Sequence, residues 1–315
     1  MCPLWVHRLA VTTAGATLVL IFVGALVTST GSGLAVPDWP LSFGQVFPPM
    51  VGGVLYEHGH RLVAAFVGML TVTLMVIITH WEPRHWVRWI ARGAVVVVLL
   101  QGILGGITVL LRLPTVVSVM HACLAQAFFM LTIVLAICTG PSWGKTVIPL
   151  VEPKRPTLAS LAALTVGAIY LQLIAGALMR HTGAGLAIPD FPLAFGRVFP
   201  PLESAAVIIH FIHRLGALVV TGCAGWTVVR VMRQYRQERL LVRPAMLLAA
   251  LLLMQLTLGA YTIWSQRAIL LMTAHVAVGA AVLATSLALM LRAMRLVTPP
   301  ARMVGDGVLS ARVTA

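Results

Sequence analysis

Long apolar runs alternate with short charged segments along the whole chain. No charged residue occurs between Arg8 and Asp38, Arg61 and Glu82, Arg92 and Arg112, Arg112 and Lys145, Arg155 and Arg180, Arg243 and Arg267, or Arg267 and Arg292. An eighth apolar stretch, Ala205 to Val229, is interrupted only by Arg214. A membrane helix needs about 20 apolar residues to cross roughly 30 Å of hydrocarbon. The pattern therefore predicts eight helices, near 9–29, 57–79, 93–112, 116–138, 157–178, 209–230, 244–264 and 268–291. The runs are continuous rather than alternating, which excludes a membrane β-barrel. The expected fold is an all-α integral membrane protein. Its first span, preceded by Arg8, is too long for the apolar core of a signal peptide and is expected to be retained.

Composition supports this class. Apolar residues make up 60% and charged residues only 10% of 315, with mean hydropathy +0.99. That is too little charge to cover a water-facing surface. The net charge of +14 could suggest nucleic acid, but its distribution argues otherwise. With the N-terminus inside, the inner segments hold Arg8; Arg84, Arg88 and Arg92; Lys145, Lys154 and Arg155; Arg230, Arg233, Arg236, Arg239 and Arg243; and Arg292, Arg295, Arg302 and Arg312. These are 16 of the 22 basic residues, so the excess reads as an orientation signal with both termini inside. No nucleic-acid partner is expected. Trp5, Trp81, Trp86, Trp89, Trp143 and Trp264 fall near predicted interfaces, as an aromatic belt would.

The chain is internally duplicated. Residues 30–49, TGSGLAVPDWPLSFGQVFPP, match residues 182–201, TGAGLAIPDFPLAFGRVFPP, at fifteen of twenty positions. His60-Arg61-Leu62 matches His213-Arg214-Leu215, Gln101 matches Gln255, and His121 matches His275. Four helices per copy put both halves the same way up, as two tandem, same-orientation four-helix bundles. The expected boundary divides residues 1–150 from 151–315, in the Pro- and Gly-rich inner loop 140–156. The long loops 30–56 and 182–208 would both face outward.

Four of the ten histidines, His60, His121, His213 and His275, fall in the outer turns of predicted helices 2, 4, 6 and 8. Ionisable residues within spans are functional candidates. Interhelical hydrogen bonding is the plain alternative, but matched pairs at matched depth point further. Two imidazoles on facing helices of a bundle suit the axial ligands of a b-type haem. Copper or zinc would call for further Cys, Asp or Glu ligands at the same depth. His7, His80 and His85 are expected at the inner interface, and His181 in an outer loop.

Arg61 and Arg214 each follow a candidate ligand, as a propionate partner or as a snorkelling interfacial residue. Glu57 aligns with His210, so only the first copy has a carboxylate three residues before its ligand. Spacing of i and i+3 puts Glu57 on the face of His60, where it could act as acid or base, or lie exposed at the interface. Asp38 and Asp190 are expected to organise Pro-rich turns. Gln101 and Gln255 are expected to bond between helices beside Gly105-Gly106 and Gly259. Cys2, Cys123, Cys138 and Cys223 form no C-x-x-C motif and cannot build an outer disulfide.

TG(S/A)GL followed by PD(W/F)PL-x-FG, then E-x-x-H-R and intramembrane histidines in helices 4, 6 and 8, resembles the haem A synthase family over about residues 8–295. The resemblance implies an eight-helix enzyme that converts haem O to haem A by successive hydroxylations of one ring methyl, for terminal oxidase assembly. It implies haem b as cofactor on His213 and His275, substrate haem on His60 and His121, and Glu57 as the catalytic carboxylate. It also implies haem O synthase (protohaem farnesyltransferase) as a partner and a bacterial cytoplasmic membrane location, and it leaves room for a homo-oligomer. Some members carry a cysteine pair in the first outer loop; Thr30–Pro49 has none, so no such pair can act here. Two other readings share the paired histidines. One is a diheme b-type cytochrome that carries electrons without modifying haem, and the other is a haem transporter.

Overall fold

The computed structural model describes residues 3–144, 149–152 and 155–298 of the 315. Cys2, Lys145, Lys154, Arg302 and Arg312 lie outside the described residues. Eight helices follow in order: α1 (Leu4–Ser29), α2 (Gly53–Trp81), α3 (His85–Leu110), α4 (Thr115–Cys138), α5 (Leu158–His181), α6 (Ala205–Gln234), α7 (Arg239–Trp264) and α8 (Ile269–Leu296). All eight are long and apolar enough to cross a membrane. With 24 to 30 residues each, they reach about 36–45 Å at 1.5 Å per residue. They outrun the hydrocarbon, which explains why most extend beyond the charge-free spans: the helix continues through the interface, where charge is tolerated. α3 stops earlier, at Leu110, because Arg112 and Leu113 turn with φ of 56° and 61°. His181 is the last residue of α5 rather than a loop residue.

Within the first four helices, α1 packs on α2, α2 on α3, α3 on α4 and α4 back on α1. The last four repeat this ring. Each ring has its own apolar core, one centred on Leu74, Ile78 and Phe128, the other on Leu241, Leu248, Leu283 and Leu289. A third, smaller cluster of Ile21, Phe129 and Ala280 lies where α1 and α4 meet α8. Large apolar side chains such as Leu99, Leu171, Leu218 and Leu253 are exposed on the outside, where lipid would cover them.

The seam between the rings is also polar. Tyr170 donates to the Cys123 carbonyl at 3.1 Å, and Arg180 of α5 donates to the Ala25 carbonyl and Ser29 Oγ of α1, both at 2.7 Å. At the opposite end, β1 (Leu150–Val151) pairs in parallel with β2 (Val297–Thr298), a short ladder absent from the expected all-helical pattern. Glu152, next to β1, is buried and accepts from Arg230 Nη1 at 2.8 Å and from the Leu158 amide at 2.6 Å. Burial and the Glu152 charge push the Tyr235 hydroxyl up to about 12. Aromatic rings mark the helix ends: Trp5 meets Trp81 edge-on, and Arg84, Arg92 and Arg295 lie over Trp86, Trp89 and Trp143.

Candidate functional site

Each of the four histidines sits near the start of its helix and packs against a glycine on the preceding helix. A Cβ at Gly24 of α1 would lie 2.9 Å from His60 Cε1, and one at Gly105 of α3 would lie 3.2 Å from His121 Cε1. The second ring repeats this, with Gly176 of α5 at 3.0 Å from His213 Cε1 and Gly259 of α7 at 3.2 Å from His275 Cε1. Anything larger than glycine would push the imidazole aside. At all four positions Cε1 is the ring atom nearest the glycine, with Nδ1 next. His60 and His121 are within electrostatic reach of each other, and so are His213 and His275. Nδ1 of His60, His121 and His275 is buried with no hydrogen-bond partner.

Three glutamines attend the histidines. Gln101 Nε2 donates to the His121 carbonyl at 2.9 Å, and Gln255 Nε2 lies 3.3 Å from a ring nitrogen of His275. The expected interhelical bonds of Gln101 and Gln255 are therefore made to the candidate ligands themselves. The third was not foreseen: Gln172 of α5 reaches the His213 carbonyl at 2.7 Å and the His213 ring Nδ1 at 3.1 Å. Gly216 makes room for it, since a Cβ there would collide with Gln172 Oε1. The matching residues of the first copy are Leu20 and Val63, which pack against the apolar core instead. His60 alone has no glutamine. Aligning the two copies position by position would have revealed Gln172.

The two long loops are folded alike, each on its own aspartate. Asp38 accepts the amides of Phe43 at 2.7 Å and Gly44 at 2.8 Å; Asp190 accepts those of Phe195 at 2.7 Å and Gly196 at 2.8 Å. These N–H donors hold both carboxyls below the usual aspartate value, with the Gly44 and Gly196 amides first in effect. Phe43 and Phe195 have φ of 53° and 56°, and the glycine after each has φ of 70° and 71°. Glycine relieves one of the two left-handed residues in each turn. Trp39 packs closely on Gly106, so the first loop lies over α3.

Arg61 and Arg214 pin these loops to α2 and α6. Arg61 Nη1 donates to the carbonyls of Asp38 at 2.8 Å and Leu41 at 2.7 Å. Arg214 donates to the carbonyls of Leu193 at 2.8 Å and Asp190 at 2.6 Å. Neither guanidinium is simply snorkelling, and both are largely occupied by backbone oxygens.

The two copies diverge at one amide. The Val36 N–H donates to Glu57 Oε2 at 2.9 Å, whereas the matching Ile188 N–H donates to His210 Nδ1 at 3.2 Å. Glu57 Oε1 also pairs with Arg61 at 2.8 Å, and the residue is only 4% exposed. An interfacial glutamate open to water is therefore excluded. Beside it, His58 Nδ1 bonds Ser42 Oγ at 2.8 Å, a polar pair that the second copy replaces with Phe211 and Ala194. The first copy thus carries a connected polar cluster, Glu57–Arg61–Ser42–His58, under its loop. The free cysteines Cys123, Cys138 and Cys223 take no part in it.

These features define a multi-pass membrane protein with two matched pairs of half-buried histidines beneath two matched loops, of which only the first is held by a glutamate of the following helix. The profile of the family described as cytochrome oxidase assembly protein matches residues 50–287. The chain belongs to that family. It is similar to a haem A synthase of Shouchella clausii, 30% identical over 270 residues covering 84% of this chain and 88% of the relative. It is also similar to haem A synthases of Symbiobacterium thermophilum, 32% identical over 66% of this chain and 70% of the relative, and of Alkalihalophilus pseudofirmus, 28% identical over 82% and 88%.

Proposed function

We propose that this chain is a haem A synthase, a membrane oxidoreductase that converts one ring methyl of haem O to the formyl group of haem A by successive hydroxylations. Its family and its haem A synthase relatives support the reading. The observation that carries it is the single buried carboxylate, Glu57, in one of two otherwise matched histidine sites.

The two copies then divide the work. Residues 1–150 hold substrate haem O through His60 and His121, and residues 151–315 hold haem b through His213 and His275. The residues fit an iron porphyrin: paired imidazoles, three of them with a buried, unpartnered nitrogen, and a glycine cleared beside each ring. Among the described residues no group of three or more His, Cys, Asp or Glu is placed to hold a metal ion. When bound, haem b supplies a one-electron redox centre. Gln172 lies against the Nδ1 side of the His213 ring and donates to the His213 carbonyl; with its side-chain amide turned so that the oxygen faces Nδ1, it would accept the ring N–H of an iron-bound imidazole. Such outer contacts fix ring orientation and raise ligand affinity.

Glu57 lies one helical turn before His60 and faces the same side. Val36 N–H and Arg61 hold its two oxygens, which fixes the carboxylate beside the substrate. There it takes or gives a proton during methyl oxidation, or stabilises positive charge developing on the substrate. The membrane is the bacterial cytoplasmic one, with both termini inside, and a haem O synthase upstream supplies the substrate for eventual use by a terminal oxidase.

The test is co-expression with a haem O synthase, followed by chromatography of extracted haems. Haem A or its hydroxylated precursor is expected from the wild type and is absent from Glu57→Ala. Haem B with unconsumed haem O, and no haem A or hydroxylated precursor, would overturn the reading in favour of a diheme cytochrome.

A further inference from the structure

Arg180 occupies the last turn of α5, within a membrane-spanning helix and at the seam between the two rings. Its Nη2 donates to the Ala25 carbonyl and to Ser29 Oγ, both at 2.7 Å, and both acceptors are neutral. The described residues contain three ion pairs, Glu57–Arg61, Glu82–Arg84 and Glu152–Arg230, and Arg180 is in none of them. The charge close enough to act on it is another cation, Arg267. Arg180 is the next-to-last residue of α5, where the helix enters the interface, and its half-buried guanidinium has only neutral hydrogen-bond partners, so it is open to an anionic ligand. Nε and Nη1 make no hydrogen bond, yet they are not sealed off, so half of the planar fork opens onto accessible space.

Its position is specific. Gly176, which seats the His213 ring, lies one turn before Arg180 on the same face of α5, and Ser29 Oγ also receives Thr273 Oγ1 of α8 at 2.9 Å. Arg180 and His275 are within electrostatic reach, whereas the charged groups acting on His60 are His121 and Arg61. The first-copy counterpart of Arg180 is Thr28, which bonds back to its own helix at Gly24. Arg61 and Arg214, whose sequence positions suggest propionate partners, spend most of their donors on loop carbonyls. Arg214 keeps only a buried Nε without a partner, whereas Arg180 has both Nε and Nη1 free of hydrogen bonds.

We propose that Arg180 anchors a carboxylate of the group held by His213 and His275, that is, a propionate of haem b. The inference rests on the haem reading above. A guanidinium fork matches a carboxylate in two parallel charge-assisted bonds, which a lysine cannot reproduce. Because only the second copy has this arginine, the anchor adds to the contact of Gln172 in retaining one haem, and the first site is left without it.

The experiment is a double-mutant cycle on purified full-length protein, with Arg180→Gln and wild type each loaded with haem b or with its dimethyl ester. Haem release is timed by transfer to a scavenging apoprotein. Wild type should release the ester about tenfold faster than haem b, the loss of one charge-assisted contact. Arg180→Gln should release haem b and ester at the same fast rate. Its bound haem should also show a lower midpoint potential, because a nearby positive charge favouring the reduced iron is gone. Arg180→Lys keeps the charge without the fork and should fall between. Equal release of haem b and ester from wild type overturns the proposal, as does an Arg180→Gln variant that speeds both by the same factor. The wild-type and Lys arms decide it even if the Gln variant fails to fold. A wild-type chain that takes up no haem would instead overturn the haem reading itself.

Discussion

The two copies share a scaffold and differ in what that scaffold grips. Both seat their histidines on glycines, both fold the long loop on an aspartate, and both clamp that loop with an arginine. The second copy then adds hold on its ligand site through Gln172, made possible by Gly216. The first copy has Leu20 and Val63 there, and instead exchanges a neutral loop anchor, His210, for the charged Glu57. Under the function proposed above, retention falls to one of these frames and reactivity to the other. On that proposal, a site that must release its product gains nothing from extra grip, and a site that keeps its cofactor has no use for a proton-transfer group.

The largest expected effect comes from removing one ligand in each copy. His275→Ala should strip tightly bound haem b from the purified protein, while His121→Ala should keep it and lose turnover. Absorbance spectra and haem extraction read both, and equal loss of the same haem in the two variants would erase the division. Next is Glu57→His, which gives the first copy the anchor of the second. The imidazole can still accept the Val36 amide, so the loop should stay folded while turnover falls about 10²–10⁴-fold, the usual scale of general acid–base catalysis. Near-normal turnover would reduce Glu57 to a loop anchor.

A smaller effect is expected at the glutamine. Gln172→Leu should speed haem b release about 10–100-fold, the range for losing an outer contact of a metal ligand. The reverse graft, Leu20→Gln with Val63→Gly, should slow product release from the first copy. If neither variant changes release, the extra grip is not where the copies differ. The smallest concerns pH. Asp38 and Asp190 have folded-state values below 3.8, so their hold on the loops is complete above that value and is lost as pH falls through the lowered one. Amide protection at Phe43, Gly44, Phe195 and Gly196 should therefore be constant from pH 7 to 5 and decline together in stronger acid. Separate declines would show that the loops are not equivalent.

The eight helices were legible because charge is excluded from hydrocarbon, so the intervals between Arg, Lys, Asp and Glu measure the spans directly. The four histidines were legible because duplication repeats them. Adjacency to a ligand along the chain singled out Arg61 and Arg214, but only the structure shows their side chains reaching across to loop carbonyls more than 20 residues away. Arg180 served in the sequence only to end a charge-free interval, and Gln172 stands out only when the two copies are aligned against Leu20; for both, the partner on another helix supplies the role. The β1–β2 ladder was unreadable for the same reason, since two-residue strands carry no periodicity.

By itself, then, the sequence determined that the protein is membrane-embedded and all-helical, that it is duplicated, and that it carries two pairs of intramembrane histidines, one of them accompanied by a glutamate. These are properties of solvation and of repeat, and both are written along the chain. Only the tertiary structure decided which groups each polar side chain touches. Inside a membrane an unpaired donor is costly, so it takes whatever acceptor the packing of neighbouring helices provides, and that choice has no local signature.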